Sequence, residues 1–153
     1  MVYKNKNNAG IQPVYFVNSK KIDSSIIKTI DPNSIESINV IKEEIEIEGE
    51  KFYGKVDIKM KKNYNPEFIS LSDFKLKYVT QSDASAIFLV DNEIIKGDYS
   101  TFIIDQNYIL KVIVDKIERQ DESLRIDVIR LLTKSEDNIK KSKEIRIRSS
   151  EGE

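Results

Sequence analysis

Ser25 and Lys28 stand three residues apart. On a helix, this Ser-x-x-Lys spacing sets an amine one turn from a hydroxyl, and the amine can make that hydroxyl a nucleophile. The pair has no companions. Neither Ser-Asp-Asn nor Lys-Thr-Gly occurs, and 153 residues are few for the fold that uses them. Ser25 and Lys28 therefore read as solvated helix positions, with a small Ser-Lys hydrolase as the runner-up. Asp31-Pro32-Asn33 and Asp105-Gln106-Asn107 offer the Asp-x-Asn opening of a Ca²⁺ loop, but Glu36 and Leu110 stand where its glycine belongs, and Lys42 and Lys116 where its glutamate belongs. Helix capping explains both aspartates more simply.

Two charged runs remain. Glu43, Glu44, Glu46, Glu48 and Glu50 form an acidic stripe, and paired carboxylates can do acid-base or glycosidic work. Because Ile45 and Ile47 alternate with them, they read as the wet face of a strand. Lys140, Lys141, Lys143, Arg146 and Arg148 form a basic cluster diluted by Glu136, Asp137 and Glu144. Histidine and cysteine are both absent, which excludes a disulfide, a thiolate nucleophile, a Cys/His zinc site and a Ser-His-Asp triad built within the chain. No catalytic residue, cofactor or metal is expected. With 25 basic and 26 acidic residues the formal charge is -1, so no overall attraction to nucleic acid or anionic membrane follows.

Hydrophobic content of 39% over this length is enough to bury a core. No apolar run approaches the length of a membrane span, so the chain is expected to have no transmembrane segment of its own. Residues 1–12 read as a flexible leader, and export would need a signal outside this sequence.

The elements follow from period and punctuation. Val14 to Val17 is a β-branched and aromatic run, Asn18-Ser19-Lys20 a turn, and Lys21-Ile22 a short return strand. Asp23 or Ser24 caps a short helix carrying Ile26, Ile27 and Ile30. Asp31 caps a brief turn with Pro32 in its first position. From Ile38 to Ile47 the alternation predicts a strand, with a bulge where Ile41, Lys42 and Glu43 break phase. Glu48 to Lys51 turns the chain back through Phe52 to Met60. Ser70 to Asp73 caps a helix carrying Leu71, Phe74 and Tyr78. Near the end, Ser135 opens a helix with Ile139, Glu144 to Arg148 reads as a last strand, and 149–153 as a flexible tail. The aromatic residues fall in apolar runs and read as core, with Tyr99 and Tyr108 as the surface members.

The chain also repeats itself. Ile87 to Ile95 restates Val14 to Ile22 at an offset of 73, and Ile104 to Lys116 restates Ile30 to Lys42 at an offset of 74, a net insertion of one residue placed near Lys96-Gly97. Gln120 to Ser123 reads as the second hairpin's turn, with Leu124, Ile126 and Val128 on its return strand. Two units this small would each be marginal alone, so they are expected to pack together or share the helix between them.

Pro13 to Lys20, Ile30 to Lys42 and Tyr53 to Lys62 together resemble the plug domain of TonB-dependent outer-membrane receptors, in its short free-standing form found in bacterial envelope proteins. The likeness covers 13–62, with 86–148 as a divergent second unit and 63–85 as a connector with a helix. The second copy lacks the proline and the Tyr-Gly. The resemblance implies an α+β fold of two tandem plug-like units, each with a β-hairpin, a short helix and β-strands. It implies a non-enzymatic protein-binding or assembly module, periplasmic or outer-membrane associated, whose partner is an envelope protein or outer-membrane complex. The edges carrying Glu44, Glu46, Glu48 and Lys51, and Glu144, Arg146 and Arg148, are the candidate binding surfaces. A cytoplasmic ligand-binding regulator is the remaining alternative.

Overall fold

A computed structural model describes residues 12–79, 85–119 and 124–151, from residue 145 on as backbone alone. The expected leader, 1–12, lies outside the described residues except for Gln12, whose carbonyl accepts the Tyr53 N–H at 3.2 Å; the expected turn at 120–123 and the last two residues lie outside them too. The fold is mixed α+β and built mostly of strands.

The first hairpin shows how local chemistry fixes topology. β1 (Val14–Val17) and β2 (Lys20–Ile22) are joined by Asn18 and Ser19 at φ 47 and 70, both left-handed, as a tight turn matching the strands' twist demands. Asn18 tolerates this and also carries an acceptor. Its Oδ1 takes the Met60 N–H at 3.0 Å, while its own N–H donates to the Ile58 carbonyl at 2.9 Å. The turn is thereby pinned beside β4 (Glu50–Met60), and β1 lies parallel to β4. β3 (Ile35–Ile47) runs antiparallel along the other side of β4, giving the order β2-β1-β4-β3. Its register slips between Ile41 and Glu44, at the expected bulge, and also between Ile35 and Ser37.

The second half does the same. β6 (Ser85–Val90), β7 (Glu93–Ile95), β9 (Ile109–Glu118) and β10 (Arg125–Thr133) form a sheet of order β7-β6-β10-β9 with the same strand directions. Asp91 and Asn92 adopt φ 47 and 70, and Asp91 Oδ1 accepts the Thr133 N–H at 2.9 Å. Both side chains reach an amide 42 residues away. β9 slips against β10 at Leu132/Thr133, opposite Leu110, which corresponds to the first slip in β3.

Between Ile30 and Met60 and their counterparts the match is close, and the difference lies earlier. In the first half a 3-10 helix, Ser24–Thr29, follows the Asp23 cap. In the second half Lys96 and Gly97 are added, Asp98 caps a turn through Ser100, and the chain then straightens into β8 (Ile103–Asp105). β8 pairs antiparallel with β5 (Phe68–Ser70) in a two-stranded ribbon that no periodicity announced, because three residues cannot show a period.

The helix at α1 (Leu71–Tyr78) starts where Ser70 Oγ accepts the Asp73 N–H at 3.1 Å. Its first two amides donate to the Phe102 and Tyr99 carbonyls at 3.0 and 3.2 Å, seating it on the second half. Val17, Ile22, Ile58 and Met60 from the first sheet and Phe88, Val90, Ile129 and Leu131 from the second join one buried cluster with Ile26, Leu71, Phe74 and Ile104. The two halves thus share a core.

The C-terminal strand expected over Glu144–Arg148 is instead part of α2 (Glu136–Glu151), which also takes in 149–151 where a loose tail was expected. The Ile-Arg-Ile-Arg alternation suits a strand. A helix already started at Ser135, whose Oγ accepts the Asn138 N–H at 3.2 Å, extends through it because each added residue gains a bond and neither Gly nor Pro stops it before Gly152. Among the described residues no helix is long and apolar enough to cross a membrane.

Candidate functional site

The residues that could do chemistry are not assembled for it. Ser25 Oγ donates to Asp23 Oδ1 at 2.7 Å, and Lys28 Nζ pairs with Glu93 at 3.1 Å, so each is held by a different carboxylate. Asp31 and Asp105 act as caps. Asp31 Oδ1 accepts the Asn33 N–H and Asp105 Oδ1 the Asn107 N–H, both at 3.0 Å, opening the 3-10 turns Pro32–Ser34 and Gln106–Tyr108. No group of three or more acidic residues able to hold a metal occurs among the described residues.

Asp105 does more than cap. It is fully buried, its Oδ1 also takes the Glu67 N–H at 3.0 Å, and Oδ2 receives the Tyr64 hydroxyl. The Asn107 side chain holds the Asn65 carbonyl at 3.0 Å. The segment between the two sheets is thus tied down on the second turn. Burial first, then the hydrogen bond and charge of Asp105, push the Tyr64 phenol above its ordinary value. Tyr108 is pushed up too, by burial and then by Asp31, Asp91 and Glu136. Tyr108 is 8% exposed and Tyr99 half-buried, its hydroxyl donating to the Ile95 carbonyl at 3.0 Å. Neither is the surface aromatic the sequence suggested. The half-exposed aromatics are instead Tyr53, on the sheet, and Tyr78, which packs against buried Phe74 at the end of the helix, their ring centres 4.7 Å apart.

A cleft of about 350 Å³ opens between the halves, lined by Ile27, Ile30, Pro32 and Ile58 on one side and Tyr108 and Thr133 on the other. Lys28, Asp91 and Ser135 also border it, but Lys28 pairs with Glu93, and Asp91 is bonded to Thr133 and Asn138, so these groups are engaged within the fold.

The open surfaces are the sheet edges. β3 and β9 each end a sheet, so one side of each strand's backbone pairs with no strand among the described residues. Glu44 and Glu46 lie on β3, Glu48 in the turn at φ 52, and Lys51 on β4 opposite Glu46. The structure brings these four together at the far end of one hairpin. It places Glu144, Arg146 and Arg148 on a helix, so these three line no sheet edge. The charge-based reading passed over the apolar part of the edge. Ile38 and Val40 pair with the inward-facing Ile58 and Val56, yet are 56% and 52% exposed, because β3 extends past what the shared core covers. A strand-period stripe is visible in the sequence; that its outer strand lacks a cover is not. On β9, Leu110 and Ile117 are likewise exposed. No protein-family model, curated protein or solved structure matches the chain.

Proposed function

We propose that the chain is a non-enzymatic protein-binding or assembly module of the bacterial cell envelope, periplasmic or outer-membrane associated, made of two tandem plug-like units joined by the helix of α1. Its partner is an envelope protein or outer-membrane complex. The observation that carries the binding part is the pair of long edge strands, β3 and β9, each with an unpaired backbone side and exposed aliphatic residues. An incoming strand gains backbone hydrogen bonds along such an edge and selectivity from alternate side chains. The envelope setting rests on the resemblance of 13–62 to receptor plugs.

The test is capture from solubilised bacterial envelope fractions by the immobilised chain, beside a double variant Ile38→Lys, Val40→Lys. A discrete envelope protein retained by the parent chain and lost by the variant supports the reading. Retention of no envelope protein sinks it.

A further inference from the structure

The two edges are not equally fit for pairing. β3 breaks register twice, at Ile35/Ser37 and Ile41/Glu44, and its far half is crowded with glutamates. β9 runs against β10 without a break from Lys111 to Glu118. Bulges and massed like charge are what close an edge to other strands, and β9 from Lys111 onward has neither.

A strand that meets its own copy antiparallel does so about a two-fold axis. When the two sheets continue as one surface, that axis is normal to the sheet and must pass beside a residue, because every side chain has to stay on its own face. Few registers exist, and the sequence of β9 separates them. Centring on Val112 sets Lys111 against Ile113 of the other copy twice over. Centring on Val114 sets Ile113 against Asp115 and Lys111 against Ile117. Centring on Asp115 opposes two carboxylates, and Lys111 against Arg119. Over the unbroken run from Lys111 onward, centring on Ile113 satisfies both charge and hydrophobicity. Lys111 then lies opposite Asp115 twice over, Val112 opposite Val114 twice, and Ile113 opposite itself, while Leu110, at the slip, and Ile109, turned to the other face by it, fall outside the pairing.

We propose that β9 is a self-association edge, pairing antiparallel with β9 of a second copy of this chain in the register centred on Ile113, so that two four-stranded sheets join into one of eight. This rests on the protein-binding reading of the sheet edges and names the partner at one of them. Asp115 already stands 3.6 Å from Arg130 on the neighbouring strand, so its carboxylate is positioned at this face before any second copy arrives. The second sheet's outer face, with Ile113 and Leu89, would continue across the junction.

The test is sedimentation equilibrium of the full chain from about 5 to 500 µM, the range in which an interface of this small size would act. Four proteins are compared: the parent, Lys111→Glu, Asp115→Lys, and the double exchange, each first checked for parent-like circular dichroism. A concentration-dependent dimer is expected, weakened about tenfold or more by either single reversal, since the symmetry places each reversed charge against a like one twice. The double exchange restores it. A parent chain that stays monomeric overturns the proposal, and so does a dimer indifferent to the single reversals or not restored by the double. If the chain is monomeric yet captures an envelope protein in a way that Ile38→Lys, Val40→Lys abolishes, the self-association fails alone. Loss of both dimer and capture takes the binding reading with it.

Discussion

The two four-stranded sheets share strand order, turn backbone and the position of a register slip, but not their outer faces. On the first sheet that face carries Lys21, Lys55, Lys59 and Asn39. The equivalent positions of the second are Ile94, Val128, Leu132 and Ile113. Inward-facing positions diverge far less: Val17 matches Val90, Ile22 matches Ile95, and Ile58 matches Leu131, all buried. What both copies keep is the set of contacts that makes one shared core. What differs is what each copy shows to its surroundings. The first sheet partly neutralises its outer aromatic with charge, as Lys55 Nζ sits 5.0 Å from the Phe16 ring centre. The second leaves aliphatics there, with Ile94 57% exposed.

The largest asymmetry to test lies inside. Phe88 is fully buried with its ring 4.8 Å from that of Tyr99, edge to face, whereas its equivalent, Tyr15, is half-buried. Phe88→Ala is expected to cost about 3–5 kcal/mol and Tyr15→Ala on the order of 1–2 kcal/mol, read by urea denaturation. Equal losses would mean that the second sheet is not the better-buried half.

The two cap aspartates give the next contrast. Asp31→Ala removes a half-buried cap that also takes the Ser34 hydroxyl, and should cost about 1–2 kcal/mol. Asp105→Ala also strands the Glu67 amide and the Tyr64 hydroxyl, and about 2–4 kcal/mol is expected. The raised Tyr64 pKa adds a pH signature. In the unfolded chain the phenol loses its proton near its ordinary value of 10.0, while the folded chain retains it. The stability contribution is therefore whole below pH 10.0 and declines as pH rises above it. Denaturation midpoints taken between about pH 8 and 11 should fall more steeply for the parent than for Tyr64→Phe. Parallel curves would place the tyrosine free of Asp105.

The caps and the two hairpins of the first sheet were legible because each has a local cause. Asp31 with Pro32, the phase break at Ile41 to Glu43, and Ser70 with Asp73 carry their signals within a few residues. The β5–β8 ribbon was not legible, since Phe68–Ser70 pairs only because Leu71 and Ser72 are held by the second half. Glu144–Arg148 was misread because alternation over five residues fits a strand, while helix propagation depends on what precedes it. For the site, the charged hairpin end was found from Glu44 to Lys51. The exposed Ile38 and Val40 were hidden among apolar residues whose burial is decided by what lies across from them.

The smallest expected effect bears most directly on the outer faces. Lys21 Nζ lies 5.4 Å from the Phe52 ring centre, a contact worth about 0.5–1 kcal/mol at an exposed site, so Lys21→Ile should cost no more than that. Ile94→Lys exchanges a largely exposed aliphatic for a charge, and a change within about 0.5 kcal/mol is expected. Stability alone would then call the two faces interchangeable. Binding of a hydrophobic dye separates them, because it reads contiguous apolar surface rather than folding energy. Ile94→Lys should lower dye fluorescence and Lys21→Ile should raise it only slightly, since the same face of the first sheet keeps Lys55, Asp57 and Lys59. If Ile94→Lys instead destabilises the isolated chain by more than about 1 kcal/mol, the second outer face is already covered within the monomer, and the contrast between the sheets is one of packing rather than of exposed surface.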